Sequence, residues 1–238
     1  MRYLWHENIS YRDYDRDHDL TDPHEGLSLP LLELIRQEAS PRRRVIDVGC
    51  GAGRLTLAIA PLFQEIIGID WSEPALAEAQ NATAQHGMRN VRFHLADAEH
   101  ADYRAMAGGS IDLVVAHLCM SNAIITQAAS LGPETILAFA AFHTDQWRET
   151  GVISRFAYSE AAMEEALENG GFHPCYLGLE KKILRFPSPD VAVTYAERTS
   201  LEAKWRSSPR WSTYLKYVQE GGNSLTVRAR VIVKARRY

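Results

Sequence analysis

The run VIDVGCGAGRLTLAIA, residues 45–60, sets Asp47 beside glycines at 49, 51 and 53. Glycine at alternate positions removes the Cβ and permits backbone angles closed to other residues. A ligand can then lie against the main chain itself. An acid at such a turn is a poor host for a pyrophosphate and a good one for a ligand with cationic groups. The phosphate-cradling pattern GxxxxGK[ST] is absent, and G-x-G-x-G is one residue shorter than the G-x-G-x-x-G of dinucleotide folds. Two histidines, His117 and His143, end later apolar runs, and imidazole is the side chain suited to base work near neutral pH. Near the start, YRDYDRDHDLTDPH clusters Asp and His without the spacing of a calcium loop. No metal is expected, and this stretch reads as a solvated cap.

These residues need elements to hold them. From Arg43 to about Phe142 short apolar runs alternate with helical stretches. Strands are expected at Val45–Val48, Glu65–Asp70, Val91–Ala96, Ile111–His117 and Thr135–Phe142. Their near-continuous apolar character fits parallel strands buried on both faces. Helices are expected at Gly53–Phe63, Glu73–His86 and Asn122–Leu131. The second is punctuated by Ser72 as N-cap, Pro74 in its first turn and Gly87 past its end. Further on, Ser159–Asn169 reads as a helix, Phe172–Phe186 as a strand, and Asp190–Thr199 and Trp211–Gln219 as helical segments. SLTVRARVIVKARRY alternates like an antiparallel strand inserted in the sheet, although Ile232 makes its far side apolar too. The expected fold is α/β: a doubly wound, Rossmann-like, seven-stranded sheet, mostly parallel with an antiparallel C-terminal strand. It divides into an N-terminal cap (1–42), a core (43–150) and a C-terminal half (151–238) with a lid insertion at about 187–222.

Composition narrows the class. The chain has 238 residues and three scattered cysteines, which argues against a disulfide scaffold or structural zinc and fits a reducing cytoplasm. Leu113–Pro133 lacks Asp, Glu, Lys and Arg, but its polar residues and Gly132-Pro133 favour a buried strand and helix over a membrane span. The net charge of −4 hides an asymmetry: residues 1–180 hold 13 Lys/Arg against 26 Asp/Glu, and residues 181–238 hold 13 against 4. The basic quarter suits an anionic substrate or partner, or is simply solvated over several faces.

DVGCGAG resembles the first motif of the class I S-adenosylmethionine-dependent methyltransferases. IIGIDWSEPALAEAQ, VRFHLADAEH and IDLVVAHLCMSNAI resemble the three motifs that follow it, in order. The resemblance implies S-adenosyl-L-methionine as cofactor, held at Asp47, Gly49, Cys50, Gly51 and Gly53 of the turn. Asp70 is placed to accept both ribose hydroxyls, since a carboxylate offers two acceptor oxygens to a cis-diol. Trp71 would pack on the adenine, Asp97 accept from its amino group, and Ala98 supply a backbone contact. Cys50 is also read as turn packing, and Asp47 as a turn-stabilising acid. His117 is placed at both cofactor and acceptor; His117 and His143, with Tyr11 (or Tyr14) as a gate, are the catalytic candidates, and Ser121 and Asn122 could orient a polar substrate.

The acceptor is narrowed by absences. No [DN]PP[YF] follows the fourth strand, no Pro-Cys is present there, and the double-acid loop of arginine methyltransferases is missing. What remains is a small-molecule or acyl-carrier-bound acceptor, methylated on a carboxylate or hydroxyl, similar to malonyl-acyl-carrier-protein methyltransferases in its lid. The lid aromatics Tyr195, Trp205, Trp211, Tyr214 and Tyr217 either line a pocket or pack the lid on the sheet. An RNA methyltransferase using the basic quarter, and a non-catalytic S-adenosylmethionine-binding protein, are the alternatives.

Overall fold

The computed structural model describes the backbone of residues 2–10 and the whole of residues 26–199 and 201–237. Apolar alternation and caps divide it as follows. Strand β1 (Arg2–Ser10) precedes helix α1 (Leu29–Arg36) and strand β2 (Ser40–Val48). Helix α2 (Arg54–Ile59), strand β3 (Phe63–Asp70), helix α3 (Glu73–Gln85) and strand β4 (Val91–Leu95) follow. Next come α4 (Tyr103–Ala107), β5 (Leu113–His117), α5 (Asn122–Ala129), β6 (Ile136–His143) and the two-residue β7 (Ala157–Tyr158). Helix α6 (Glu160–Asn169) and the long β8 (Phe172–Arg185) lead to α7 (Pro189–Arg198), α8 (Leu201–Trp205), α9 (Arg210–Gln219) and β9 (Ser224–Arg237).

The sheet order is β1-β8-β9-β6-β5-β2-β3-β4, with β7 beside the end of β6. Strand β9 alone runs antiparallel, against both β6 and β8. The doubly wound, mostly parallel sheet expected from the sequence is therefore present, with nine strands rather than seven. The additions are β7 and the edge strand β1, which pairs parallel to β8. Residues 2–10 thus extend the sheet, a correction to the expected N-terminal cap over 1–42.

Local chemistry explains the boundaries. Ser72 accepts from the Ala75 N–H, Pro74 occupies the first turn, and Gly87 follows at φ +64°. Helix α2 stops at Ile59, short of Phe63, because Pro61 lacks an N–H and the chain tightens to a 3₁₀ turn over Ala60–Leu62 before β3. The short α4 was not expected. Asp102 caps it by accepting from Ala105, and Tyr103 is buried with its hydroxyl donating to the Ala98 carbonyl.

Both sheet faces are covered. Ile46, Val114, Phe139, Val231 and Val233 pack under α4, α5 and α6, whereas Val45, Leu113, Val115, Ala138 and Ile232 pack under α1 and α2. A third core lies in the insertion, where Leu184, Phe186, Tyr195, Trp205, Tyr214 and Leu225 meet. Trp205 stands edge-on to both Trp147 and Tyr214, with ring centroids 5.6 and 5.4 Å apart. Tyr195, Trp205 and Tyr214 are buried; they hold the insertion together and do not line an open pocket. Truncation of Trp205 to Ala is expected to cost about 3–5 kcal/mol, read as a lowered urea midpoint in equilibrium unfolding.

Candidate functional site

The glycine turn joins β2 to α2 at the carboxyl ends of the parallel strands, where open α/β sheets bind ligands. Gly49, Gly51 and Gly53 all have positive φ, at +64°, +51° and +83°. The Gly49 and Cys50 N–H groups donate to the Ile69 carbonyl, at 2.8 and 3.1 Å. What each missing side chain leaves behind differs. A Cβ at Gly51 would meet nothing within 4 Å, whereas one at Gly49 would lie 2.4 Å from the Cys119 side chain. The space at Gly49 is therefore filled by protein, contrary to the expectation that it stands open beside a ligand. A Cβ at Gly53 would press on Ala79 at 3.1 Å. Only Gly51 leaves bare main chain.

Asp70, at the end of β3, is 8% exposed. Its Oδ2 accepts from the Gly51 N–H at 2.8 Å and its Oδ1 from the Ser72 N–H at 2.9 Å. Each oxygen keeps a second lone pair, so the carboxylate can brace the turn and still accept from a diol. Next to it Trp71 is 81% exposed, and Leu95 at the end of β4 is 58% exposed. Two large apolar side chains thus stand uncovered beside the acids Asp70 and Asp97. Asp97 accepts from the Glu99 N–H and pairs with His100 Nδ1, each at 2.9 Å, and the His100 hydrogen bond holds its carboxyl below the usual range. The Ala98 carbonyl is taken by Tyr103.

Asp47 lies deeper. It is 1% exposed and accepts from Thr56 Oγ1 at 2.6 Å, tying β2 to α2. Burial pushes its carboxyl up to about 7, against the Thr56 hydrogen bond. Cys50 is buried, and burial raises its thiol; Cys119 is raised to about 11 by the same cause. Both thiols are neutral packing groups at physiological pH.

The two histidines take different roles from those expected. His143 is buried, with Nδ1 accepting from the Asp145 N–H at 3.0 Å and Nε2 within 3.0 Å of Glu160 Oε2. Both ring nitrogens are committed, so His143 braces the end of β6 and presents no free base. His117 is half-buried at the end of β5, and its Nε2 is buried without a hydrogen-bond partner among the described residues. Burial, reinforced by Arg230, Arg228 and Arg54, drops its pKa to about 3. It is a neutral imidazole of low basicity, a hydrogen-bonding group and not the general base anticipated. The chain leaves it through Leu118 at φ +65°, a strained backbone of the kind that persists where packing fixes a site. Ser121 caps α5, and Asn122 Oδ1 accepts from the Tyr158 hydroxyl at 2.9 Å. Tyr11 and Tyr14 lie outside the described residues.

Sequence reasoning missed an arginine cluster on β9, two strands from His117 and acting on it electrostatically. Arg230 is 8% exposed, donates through Nη2 to the Gly26 carbonyl at 2.9 Å, and lies 3.6 Å through Nη1 from Glu180 Oε2. Arg228 Nη1 donates to Glu180 Oε1 at 3.0 Å. The signal was available in VRARVIVKARR: Arg228, Arg230, Lys234 and Arg236 share one face of β9 with Ile232. Among the described residues no helix is long and apolar enough to cross a membrane, and no group of three or more His, Cys, Asp or Glu side chains could hold a metal ion.

Residues 39–210 match the family described as "Methyltransferase domain", Methyltransf_31. The chain belongs to this family of class I S-adenosylmethionine-dependent methyltransferase domains. It is 30% identical over 104 residues to a probable S-adenosylmethionine-dependent methyltransferase, CRG1, of Saccharomyces cerevisiae, covering 42% of this chain and 35% of that protein. It is 30% identical over 131 residues to the 23S rRNA (uracil(1939)-C(5))-methyltransferase RlmD of Alkalilimnicola ehrlichii, covering 53% of this chain and 29% of the relative. The matches thus span about a third of the length of these relatives. In fold, the YcgJ protein of Bacillus subtilis superposes with a TM-score of 0.64 at 17% identity, over 89% of this chain and 100% of that one.

The buried acid at β2 makes stability depend on pH. Raised from 3.8 to about 7 in the folded chain, Asp47 keeps its proton in the native state while the unfolded chain has already lost it. Its contribution is present below about pH 4 and lost as pH rises toward 7. Unfolding curves should show wild type losing stability relative to Asp47→Asn across that window, by on the order of a few kcal/mol.

Proposed function

We propose that the chain moves a methyl group from S-adenosyl-L-methionine to a small-molecule or carrier-bound acceptor, with a carboxylate favoured over a hydroxyl. The observation that carries the cofactor assignment is the geometry around Asp70. Its carboxylate braces the open Gly51 main chain and retains lone pairs for a cis-diol, between the uncovered Trp71 and the acid Asp97. Bound there, the sulfonium supplies an activated methyl group and its own leaving group. The protein's task is then alignment and exclusion of water. Trp71 and Leu95 offer apolar faces to a base, and the Gly51 backbone allows close approach.

The preference for a carboxylate follows from the histidines. An acceptor hydroxyl must lose its proton, which asks for a base poised near neutrality. Among the described residues at the ends of β5 and β6, His117 is too weakly basic and His143 is fully engaged. A carboxylate needs no deprotonation and would be oriented, not activated, by the neutral His117. The RNA reading is favoured by the relative named above and by the basic residues of β9, and a steep fall of RNA affinity with salt would support it.

Calorimetric titration with S-adenosylmethionine should give saturable binding, and titration with NAD none. In the Asp70→Ala variant the cofactor affinity should fall at least tenfold, and unchanged affinity would remove the ribose assignment.

A further inference from the structure

Outside the turn, a half-open groove of about 1000 Å³ lies between α1 and the β8–β9 face, the size of a small-ligand site. Its walls are mixed. Leu29, Pro30 and Leu34 of α1 give an apolar side, and Leu29 is 63% exposed. The strand side is cationic: among the described residues lining the groove, five Lys or Arg of β8 and β9 stand against Glu180. Its upper end is formed by Arg228 and Glu180, and Arg230 stands immediately behind them.

The hydrogen bonding at that end is incomplete. The Arg230 side chain is 9% exposed and the Glu180 side chain 11%. Among the described residues, Arg230 Nη1 and Glu180 Oε2 are both buried without a hydrogen-bond partner, and the 3.6 Å between them exceeds a good hydrogen bond. Buried charged atoms left in this way are costly unless something completes them. Arg228 takes the other Glu180 oxygen, so among the described residues two guanidinium groups share one carboxylate and a positive excess remains. Both arginines act electrostatically on His117, across the two strand spacings, about 10 Å, that separate β5 from β9. The charged end of the groove therefore lies two strands from the end of β5.

We propose that this groove is the acceptor site, and that Arg228 and Arg230 bind an anionic group, a carboxylate or phosphate, of an amphipathic acceptor whose apolar part lies along Leu29 and Leu34. The inference rests on the methyl-transfer reading and names the substrate class for it. A bidentate guanidinium matches either anion in shape and charge. Arg230 remains cationic at neutral pH, since burial lowers its pKa only to about 10.

The test titrates decanoate, decyl phosphate and decanol, below their aggregation limits, into the protein with and without saturating S-adenosylhomocysteine. At least one of the two anions should bind ten or more times tighter than decanol, and which anion binds tighter identifies the group. Arg228→Gln, at a partly exposed position, should weaken that anion about tenfold and leave S-adenosylhomocysteine affinity within twofold. Arg230→Gln should do the same, and Arg230→Lys should retain part of the affinity. The proposal is overturned if decanol binds as well as the anions, if no probe binds, or if Arg228→Gln leaves anion affinity unchanged. It is also overturned if the arginine variants weaken S-adenosylhomocysteine in parallel, because the guanidinium groups would then serve the cofactor's own carboxylate. Loss of S-adenosylhomocysteine binding by the wild-type protein would instead remove the methyl-transfer reading, and the cofactor-free titration would still report on the groove.

Discussion

The site depends on a carboxylate that accepts hydrogen bonds from backbone on two sides. Asp70 receives the Gly51 and Ser72 N–H groups, so the end of β3 fixes the β2–α2 turn and the start of α3 at once. It is the side chain that fixes the bare main chain at Gly51 against the end of β3. The turn is also fastened from below, by the Gly49 and Cys50 N–H groups on Ile69 and by Thr56 on Asp47. Two acids at the ends of neighbouring strands are thus used in different ways. One acid stays at the edge and can meet a ligand, and the other is sealed in, where burial raises its carboxyl to about 7.

Much of this was legible in the sequence for physical reasons. The apolar runs of β2, β3, β5 and β6 must be buried on both faces, and only a covered parallel sheet does that. Ser72, Pro74 and Gly87 bracket α3 because each satisfies or ends backbone hydrogen bonding in a distinct way. The glycines marked the turn, yet the sequence could not say which gap stays open. Cys119 enters the space at Gly49 from the loop after β5, a contact set by tertiary packing alone. The histidines illustrate the same limit. Residue type suggested bases, but basicity depends on surroundings: His143 meets Glu160 and Asp145, and His117 is half-buried within the field of Arg230 and Arg228 from β9.

The insertion between β8 and β9 is a small core in its own right. Its aromatic rings pack on one another and on Trp147, which leaves the cationic face of β9 to approach the site from the opposite side. The basic residues of the last quarter are therefore not uniformly solvated. Lys181 pairs with Asp145 at 2.5 Å, Arg236 reaches Glu38 at 2.9 Å, and Lys234 also pairs with Glu38. Arg228 and Arg230 share Glu180.

Strand β9 carries a consequence for assembly. It lies between β6 and β8 in the sheet but follows both along the chain. As synthesis proceeds, β8 and its neighbour β1 have no hydrogen-bonded route to the remaining strands until β9 emerges. The nascent polypeptide therefore carries two unzipped borders, one on β6 and one on β8, each a template for pairing with another molecule. A ribosome stalled shortly before residue 224 would hold an α/β layer missing its keystone, and escape from aggregation during translation turns on how quickly that last hairpin partner arrives.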